Sequence, residues 1–587
     1  MHPHVRQKII IFHTLSNKDD DMEDNTMNNT TWTKKNNNVT TLQDYFLNNL
    51  GKKSLAEVND IFKKSYADGY KVEQLDETVA YLRSLPKTTP IVICGDFDVD
   101  GITSVVINLL GLQWFGFKDV SYMIPRRFTE GFGLNIRMVD DAASAYAGSK
   151  ETPVLLTCDN GTSSYDAIRK AKEYGMTVII IDHHEPDRDE DNNIITPPAD
   201  FIVNPHVNIN PDNFDGYCGA GLSFKVMSKL LNDKNLKRRL QVFAAIGTVC
   251  DMMEMKEENY VIVKNGLKLL PYSNVSTKGL YALLEECNMT HVANGTGIGF
   301  DLGPRLNSIS RLNDEGAKVA VGFLLEDEDR ETATLNAQAL TLMNNDRKDM
   351  VKEGMLQVEE YLKDKELPNA PLLFYFPEMS EGIIGIVAGN IVEKYGLPTI
   401  VFSNTKEPGC MKGSARSIPG YNLIKHLHKH KELFVKLGGH KGAAGMTILK
   451  TNFNALKNKM QEDYVEPYVK GNMFDVEIFA KDIPDTIEQL KAYEPFANGN
   501  PMPTFKVTNF KTVDRYHEDV YVHLIGSEKQ TVKLYEKAST AIGFRMADRF
   551  EGIGGPVILN LYGRLNENYY KDSVTKQIMF DDFELVE

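Results

Sequence analysis

The sequence has no Cys-x-x-Cys pair. Its six cysteines, Cys94, Cys158, Cys218, Cys250, Cys287 and Cys410, are scattered along the chain and read as reduced core thiols of a cytosolic protein. Long apolar runs are missing too. The only early one, Ile9–Phe12, is too short for a secretory signal or a membrane span. There is no surplus of positive charge: the formal net charge is −15. That excludes a protein-wide field attracting nucleic acid, so a nucleic-acid function would need a local basic groove. No Lys-Ser/Thr pair ends the Gly-rich GGHKGAAG at 438–445, which excludes a Walker loop.

What is present is a chain of 587 residues with ordinary globular composition, 42% hydrophobic and 25% charged, enough for three or four domains at ~150 residues each. Residues 1–40, rich in Asn, Thr, Asp and Lys, read as a disordered tail. The chain is organised around IVICGDFDVDGITS, residues 91–104. Its apolar start predicts a buried parallel strand, and the apolar run Val105–Leu110 predicts a helix with Thr103 or Ser104 as N-cap. Asp96, Asp98 and Asp100 therefore fall at the carboxyl end of a strand, where open α/β sheets place their ligands. An EF-hand loop would need a Glu at its twelfth position; Ile107 stands there, and a strand rather than a helix comes first.

Further strands are predicted at Val120–Ile124, Val154–Thr157, Thr177–Ile181 and Phe201–Val203. This alternation gives a doubly wound parallel sheet. The strand ends deliver Asp159 and Asp182-His183-His184, and a helix around Leu240–Val249 delivers Asp251. Carboxylates and imidazoles gathered on one rim suit a site for two hard divalent cations, and the imidazoles tilt the choice towards Mn²⁺ over Mg²⁺ alone. A proline-free stretch, Asn313–Lys363, reads as a long helix or helical pair with Gly316, Gly322 and Gly354 as weak points. Strands at Leu372–Phe376 and Thr399–Phe402 flank a helix at Ile384–Tyr395. Short strands at Phe505–Val507, Tyr521–Ile525 and Val557–Leu561 suggest a small barrel of OB type. The glycines of GGHKGAAG would let backbone N–H groups approach a phosphate, with His440 donating to it; the plainer alternative is a tight strand–helix turn. Arg126 and Arg127 beside Phe128 and Phe132 combine charge with stacking surface. His426, His428 and His430 read as a solvated helix face.

These residues resemble the DHH phosphoesterase superfamily, most closely its RecJ branch of single-strand-specific 5′→3′ DNA exonucleases. GDFDVDGITS (95–104), TCDNGTSS (157–164), IDHHEP (181–186), AIGTVCDM (245–252), GPRLNSISRL (303–312), EGIIGIVAGN (381–390), KGSARSIPG (412–420), GGHKGAAG and EPFANGNPMPTF (494–505) carry the likeness. It departs from the family at Ser380 and Asn390, where His and Arg would be expected.

The resemblance implies an α/β chain with five parts: tail 1–40, DHH catalytic domain 41–312, helical connector 313–367, DHHA1 domain 368–470 and OB-like β-barrel domain 471–587. Metal ligands carried over are Asp98, Asp100, Asp159, His183 and Asp251, with Asp96 and His184 in the same motifs and Asp182 orienting an imidazole. Arg126, Arg127, Arg305, Arg311, Ser414, Arg416, Gly439 and His440 would hold the strand's phosphates. The implied activity is metal-dependent 5′→3′ hydrolysis of single-stranded DNA to mononucleotides by a cytoplasmic monomer in DNA repair and recombination, with two Mn²⁺ or Mg²⁺ ions as cofactors. Its partners would be single-stranded DNA and a single-strand-binding protein or helicase, with no membrane. The rivals are a small-substrate DHH phosphodiesterase, of oligoribonuclease or cyclic-dinucleotide type, and a non-catalytic replication scaffold. Because every implied ligand precedes the barrel, a chain ending near Val469 should still cleave very short oligonucleotides.

Overall fold

A computed structural model describes residues 32–66, 69–149, 151–207, 214–291, 293–465, 472–526, 529–570 and 573–586. Residues 1–31 of the expected tail lie outside these. The described chain forms two compact units. One comprises residues from Met343 to 465; the other joins the residues before Met343 to those after 471.

The larger unit opens with strand β1 (Thr33–Lys34) and helices α1 (Leu42–Leu50), α2 (Leu55–Tyr66) and α3 (Leu75–Ser84). The alternation follows: β2 (Ile91–Cys94), α4 (Val99–Phe115), β3 (Val120–Met123), α5 (Ile136–Ala145), β4 (Val154–Cys158), α6 (Tyr165–Glu173), β5 (Thr177–Ile181) and β6 (Phe201–Val203). All pairings are parallel and the order is β3-β2-β4-β5-β6. This is a doubly wound sheet, and the chain reverses its direction of winding between β2 and β4. Both of those strands are buried throughout, as strands covered by helices on both faces must be. Helices α7 (Gly219–Leu230), α8 (Lys234–Cys250) and α9 (Glu257–Leu269) follow in the catalytic half.

One expectation at the core of this domain is corrected. The helix after the aspartates starts at Val99, not after Thr103 or Ser104, and its N-cap is Asp98, whose Oδ1 accepts from the Gly101 N–H at 3.1 Å. The carboxylate satisfies an orphan helix donor, so the cap lies inside the triplet itself.

The expected connector is a helical pair, Gly316–Leu325 and Arg330–Leu362. Gly316 opens the first of these, and Gly322 and Gly354 sit inside helices without breaking them. A Cβ on Gly316 would lie 2.2 Å from the Ile309 carbonyl oxygen, so a close approach explains that glycine.

The smaller unit is a five-stranded sheet made of β7 (Leu372–Tyr375), β8 (Thr399–Asn404), β9 (Cys410–Arg416), β10 (Phe434–His440) and β11 (Ala443–Leu449), in the order β10-β11-β9-β8-β7. Helix Ile384–Tyr395 covers one face. GGHKGAAG is therefore not a strand–helix turn. It is the β10–β11 hairpin, with Gly439 at φ 146° paired to Ala444. His430 is buried and pairs with Asp463 at 3.0 Å, and His426 stacks on Tyr421, so of the histidine trio only His428 is exposed as a solvated face would be.

The C-terminal part of the larger unit has β12 (Met473–Phe474), β13 (Val476–Phe479), β14 (Phe505–Lys511), β15 (Val522–Ile525), β16 (Thr531–Tyr535), β17 (Thr540–Gly543), β18 (Ile558–Tyr570) and β19 (Ser573–Leu585). Seven of these form one sheet, β13-β14-β18-β19-β17-β16-β15. Its outer strands, β13 and β15, do not pair with each other, so the OB-like fold is not a closed barrel.

Trp32 to Thr40, assigned to the tail from sequence, are folded against this sheet. β1 pairs with β12, Trp32 stacks on Tyr562 at 4.5 Å and donates to Asp582 at 2.6 Å, and Val39 enters the sheet's core with Leu42 and Tyr45 of α1. The other side of α1 (Phe46, Leu47, Leu50) packs on Val58 and Tyr260 of the catalytic half. Helix α1 thus bridges the two halves of this unit.

Candidate metal centre

The carboxyl ends of β2 and β4 flank the point where the sheet reverses. β2 presents Asp96 and leads into Asp98 and Asp100 on the first turn of α4; β4 presents Asp159; β5 presents Asp182, His183 and His184; and Asp251 caps the end of α8. His183 Nε2 lies 3.1 Å from Asp159, 3.7 Å from Asp251 and 3.8 Å from Asp100. Two groupings place one ligand atom from each residue within 4.8 Å of the others: Asp159, His183 and His184, and Asp100, His183 and Asp251. The structure therefore brings together five of the seven catalytic and metal residues read from sequence: Asp100, Asp159, His183, His184 and Asp251. Asp96 and Asp98 join them through charge, Asp98 acting on Asp100 and both histidines and Asp96 on Asp98 and His184.

The shell around them is made of backbone amides. Gly219 and Ala220, at the start of α7, donate to the two oxygens of Asp100 at 2.7 and 2.9 Å. Asp182 accepts from Thr162, His183 and His184 amides and holds His184 Nδ1 at 2.7 Å. This is the orienting role expected of it. Sequence reading missed the glycines. A Cβ on Gly219 would sit 2.6 Å from Asp159 Cβ, and one on Gly247 would sit 2.8 Å from Asp100 Oδ1. Both glycines were visible inside CGAGLS and AIGTVCD, but only tertiary packing shows why no side chain fits there.

The electrostatics demand a cation. Burial, with Asp98 beside it, pushes the Asp96 carboxyl up to about 7. Burial and the charges of Asp100 and Asp98 push Asp251 up to about 9. Asp98 and Asp159 are raised for the same two reasons. Asp96 Oδ1 and Asp251 Oδ2 are buried with no hydrogen-bond partner among the described residues, a costly state for a carboxylate oxygen. Burial keeps His183 in its neutral, ligating form. His184 differs: burial opposes its charge, but Asp182 outweighs it and raises the imidazole to about 9. Like charges held this close, with neutral imidazole among oxygens, fit divalent ions of the Mn²⁺ and Mg²⁺ type.

Without metal, the raised carboxyls of the centre, Asp251 foremost, hold protons near neutrality, and a bound cation must displace them. Mn²⁺ binding should therefore release about one proton or more per chain near neutrality, and affinity should rise with pH. Calorimetric titration in buffers of different ionisation enthalpy reads this number directly. A release of zero protons would mean that the raised carboxyls are not ligands.

The phosphate-binding candidates fare unequally. Arg126 is exposed and paired with Glu315 and Glu130. Arg127 lies over the ring of Phe97 at 4.6 Å, and Phe97 contacts Phe132, which is 72% exposed. Arg305 is largely committed inside the fold, to Asp301 and, at 3.1 Å, to Thr341. The i,i+4 spacing of Asp301 and Arg305 was a readable signal of that pair. Arg311 lies in the last turn of helix Gly303–Leu312. In the smaller unit, Arg416 donates to Ala415 O at 2.8 Å and Ser414 Oγ at 3.3 Å, and no carboxylate among the described residues pairs with it. Gly385 leaves room for both side chains: a Cβ there would lie 2.8 Å from Ser414 Oγ and 3.0 Å from an Arg416 nitrogen. Gly439 and His440 are exposed on the hairpin, where His440 Nδ1 accepts from Gly442 at 3.2 Å.

Comparison with known proteins agrees with this geometry. Residues 90–248 match the N-terminal domain of the DHH family, 369–466 the DHHA1 domain and 474–582 the RecJ OB domain. The chain is 31% identical over 474 residues to the single-stranded-DNA-specific exonuclease RecJ of Haemophilus influenzae, covering 76% of this chain and 78% of that one. It is 29% identical over 531 residues to the Bacillus subtilis protein of the same name, covering 88% of this chain but only 64% of the relative's length. Among solved structures, RecJ of Thermus thermophilus in complex with Mn²⁺ superposes with a TM-score of 0.71 at 25% identity, over 88% of this chain and 72% of that one.

Proposed function

Since the chain belongs to the RecJ family, we propose that it is a divalent-metal-dependent exonuclease that hydrolyses single-stranded DNA from the 5′ end and releases mononucleotides. One observation carries the reading: five buried or half-buried aspartates and a neutral imidazole converge where the parallel sheet reverses, with no side-chain cation among them except His184. Asp98, Asp100, Asp159, His183 and Asp251 would hold two ions, with Asp96 close enough to Asp98 to share the load. Such ions supply a hydroxide nucleophile near neutral pH and neutralise charge on phosphoryl and leaving oxygens.

The chain's own residues do the rest. Gly219 and Ala220 fix Asp100 so that it cannot swing away from His183. His184, protonated at neutral pH and backed by Asp182, can donate to a non-bridging phosphate oxygen as charge builds on it. Arg127 and exposed Phe132, beside Asp96–Asp98, offer a cation and a stacking face to the nucleotide entering the centre. Ser414, Arg416, Gly439 and His440 are the smaller unit's phosphate donors in this reading, with Arg126 and Arg311 as the larger unit's; Arg305, bonded to Asp301 and Thr341, would have to exchange one of those partners to join them. A cytoplasmic monomer working with a single-strand-binding protein or a helicase belongs to the same proposal. No helix among the described residues is long and apolar enough to cross a membrane. A small-substrate phosphodiesterase would have little use for the C-terminal sheet, which matches the RecJ OB domain.

Polarity is the direct test. With Mn²⁺, a 5′-labelled single strand should release labelled mononucleotide from the first turnovers. A 3′-labelled strand should do so only late, and a blunt duplex should resist. Early label from the 3′ end would overturn the assignment.

A further inference from the structure

Asp251 is held differently from two of the other proposed ligands. Asp98 is locked by a helix-cap bond and Asp100 by two amides. Asp251 Oδ2, like Asp96 Oδ1, is buried with no hydrogen-bond partner among the described residues. Its place depends on the backbone turn that ends α8. There Met252 N–H bonds to Val249 O and Met253 N–H to Thr248 O, the pattern of a Schellman close. The residue that must turn left-handed in such a close is normally glycine. Here it is Met252, at φ 57°, and its side chain is 71% exposed, so side-chain packing does not hold it there. A non-glycine residue in this region persists only where its surroundings over-determine it.

The surroundings that do so come from far along the chain. Asn498 Nδ2 donates to Met252 O at 2.5 Å, and Asn498 O accepts from Met255 N–H at 2.7 Å. One residue thus bridges both ends of the segment that follows Asp251. Gly499, at φ 77°, presses against it so closely that a Cβ would lie 3.0 Å from Glu254 Cβ and 3.1 Å from Met255 N. The loop carrying Asn498 is itself fixed. Ala497 and Asn500 exchange backbone bonds, Asn500 Nδ2 donates to Tyr493 O and Pro495 O, and Tyr260 and Lys264 of α9 donate to Glu494 O. This loop lies between β13 and β14, the first two strands of the C-terminal sheet.

We propose that the Glu494–Asn500 loop braces the metal-ligand turn and that Asn498 is a positioning residue for Asp251. Resting on the metal reading of Asp251, the proposal ties metal affinity to the C-terminal sheet domain, whose root the loop forms.

The test uses the full chain and Mn²⁺ alone, by calorimetric or spin-resonance titration, on Asn498→Ala, Asn498→Asp, Asp251→Ala and the double variant Asn498→Ala/Asp251→Ala. Asn498→Asp keeps the size and removes the donor, so it serves if the alanine variant folds poorly. Removing an orienting partner of a ligand typically costs ~10–100-fold in metal affinity. That loss is expected in both Asn498 variants, with near-native kcat restored at saturating Mn²⁺. In the Asp251→Ala background the Asn498 substitution should add no further loss, because its effect runs through Asp251. Native Mn²⁺ affinity in folded Asn498→Asp, or an undiminished further loss in the double variant, would overturn the brace. Native Mn²⁺ affinity in Asp251→Ala would overturn something earlier, the assignment of Asp251 as a ligand.

Discussion

Asp159→Asn is expected to abolish hydrolysis while leaving a folded chain at least as stable as the native one in the absence of metal. Asp159 sits at the end of β4, 3.1 Å from His183 Nε2, and its carboxyl is raised by burial and by Asp100, Asp98 and Asp251 around it. An amide of the same shape removes an anionic ligand from the centre but also removes a source of mutual repulsion. The backbone dictates the choice of asparagine over alanine. Asp159 stands at φ 61°, a left-handed conformation that asparagine tolerates and alanine does not. Loss of one donor aimed at developing charge costs ~10²–10³ in rate. Loss of a ligand should cost more, because the charge that organises the nucleophile goes with it. Melting curves with and without Mn²⁺ supply the second half of the test. Metal that binds only the folded chain raises its melting temperature, and this rise should shrink sharply in the variant. Near-normal turnover, in a variant that still shows the full Mn²⁺-dependent rise, would remove Asp159 from the centre.

The parts of this centre that were legible in the sequence share one physical origin. A buried parallel strand is a short apolar run, and the residue after it stands on the sheet's carboxyl rim. Cys94, Cys158 and Ile181 close three such runs, so Asp96, Asp159 and Asp182-His183-His184 could be placed on one edge from local pattern alone. Asp251, which no strand delivers, was placed by the end of the helix predicted around Leu240–Val249. What was not legible depends on contacts distant in sequence. Nothing in the chain near Arg305 shows that Thr341 takes its Nε. Nothing near GGHKGAAG separates a hairpin from a strand–helix turn, because glycine permits both. Nothing near Tyr562 shows that it is 1% exposed and carries Trp32 on its face. The asparagine-rich composition around Trp32 gave no sign that the segment pairs with Met473 and Phe474. The misplacement of the α4 cap has a different cause. Asp98 is both a predicted ligand and the best capping residue available, and a sequence pattern cannot show that one carboxylate takes both positions.

The second large effect reverses what sequence reading led us to expect of the C-terminal region. A chain ending near Val469 should fail to cleave even the shortest oligonucleotide. From sequence, the catalytic residues all precede that point and the sheet reads as a removable strand-binding module. In the structure, the sheet and the catalytic half share one compact unit. Val39, Leu42 and Tyr45 are buried in the sheet's core, and truncation would leave all three exposed. Burying a large apolar side chain is worth about 1.5–3 kcal/mol, so three amount to roughly 5–9 kcal/mol. That is comparable to the whole net stability of an ordinary domain, about 5–15 kcal/mol. Truncation also removes the acceptors of Tyr260 and Lys264 and the Asn498 bonds beside Asp251. The module role must then be tested by a finer change. Tyr516 is 55% exposed and forms an edge-on cluster with His523 and Tyr535, beside Lys533. Tyr516→Ala in the full chain should leave cleavage of a very short oligonucleotide intact and weaken binding of a long one, since a stacked base is worth ~1–3 kcal/mol. Comparing short and long substrates with both proteins separates support of the centre from grip on the strand. Efficient cleavage of a short oligonucleotide by the truncated chain would show that the shared core and the loop behind Asp251 are dispensable, and the sheet would again be an independent module.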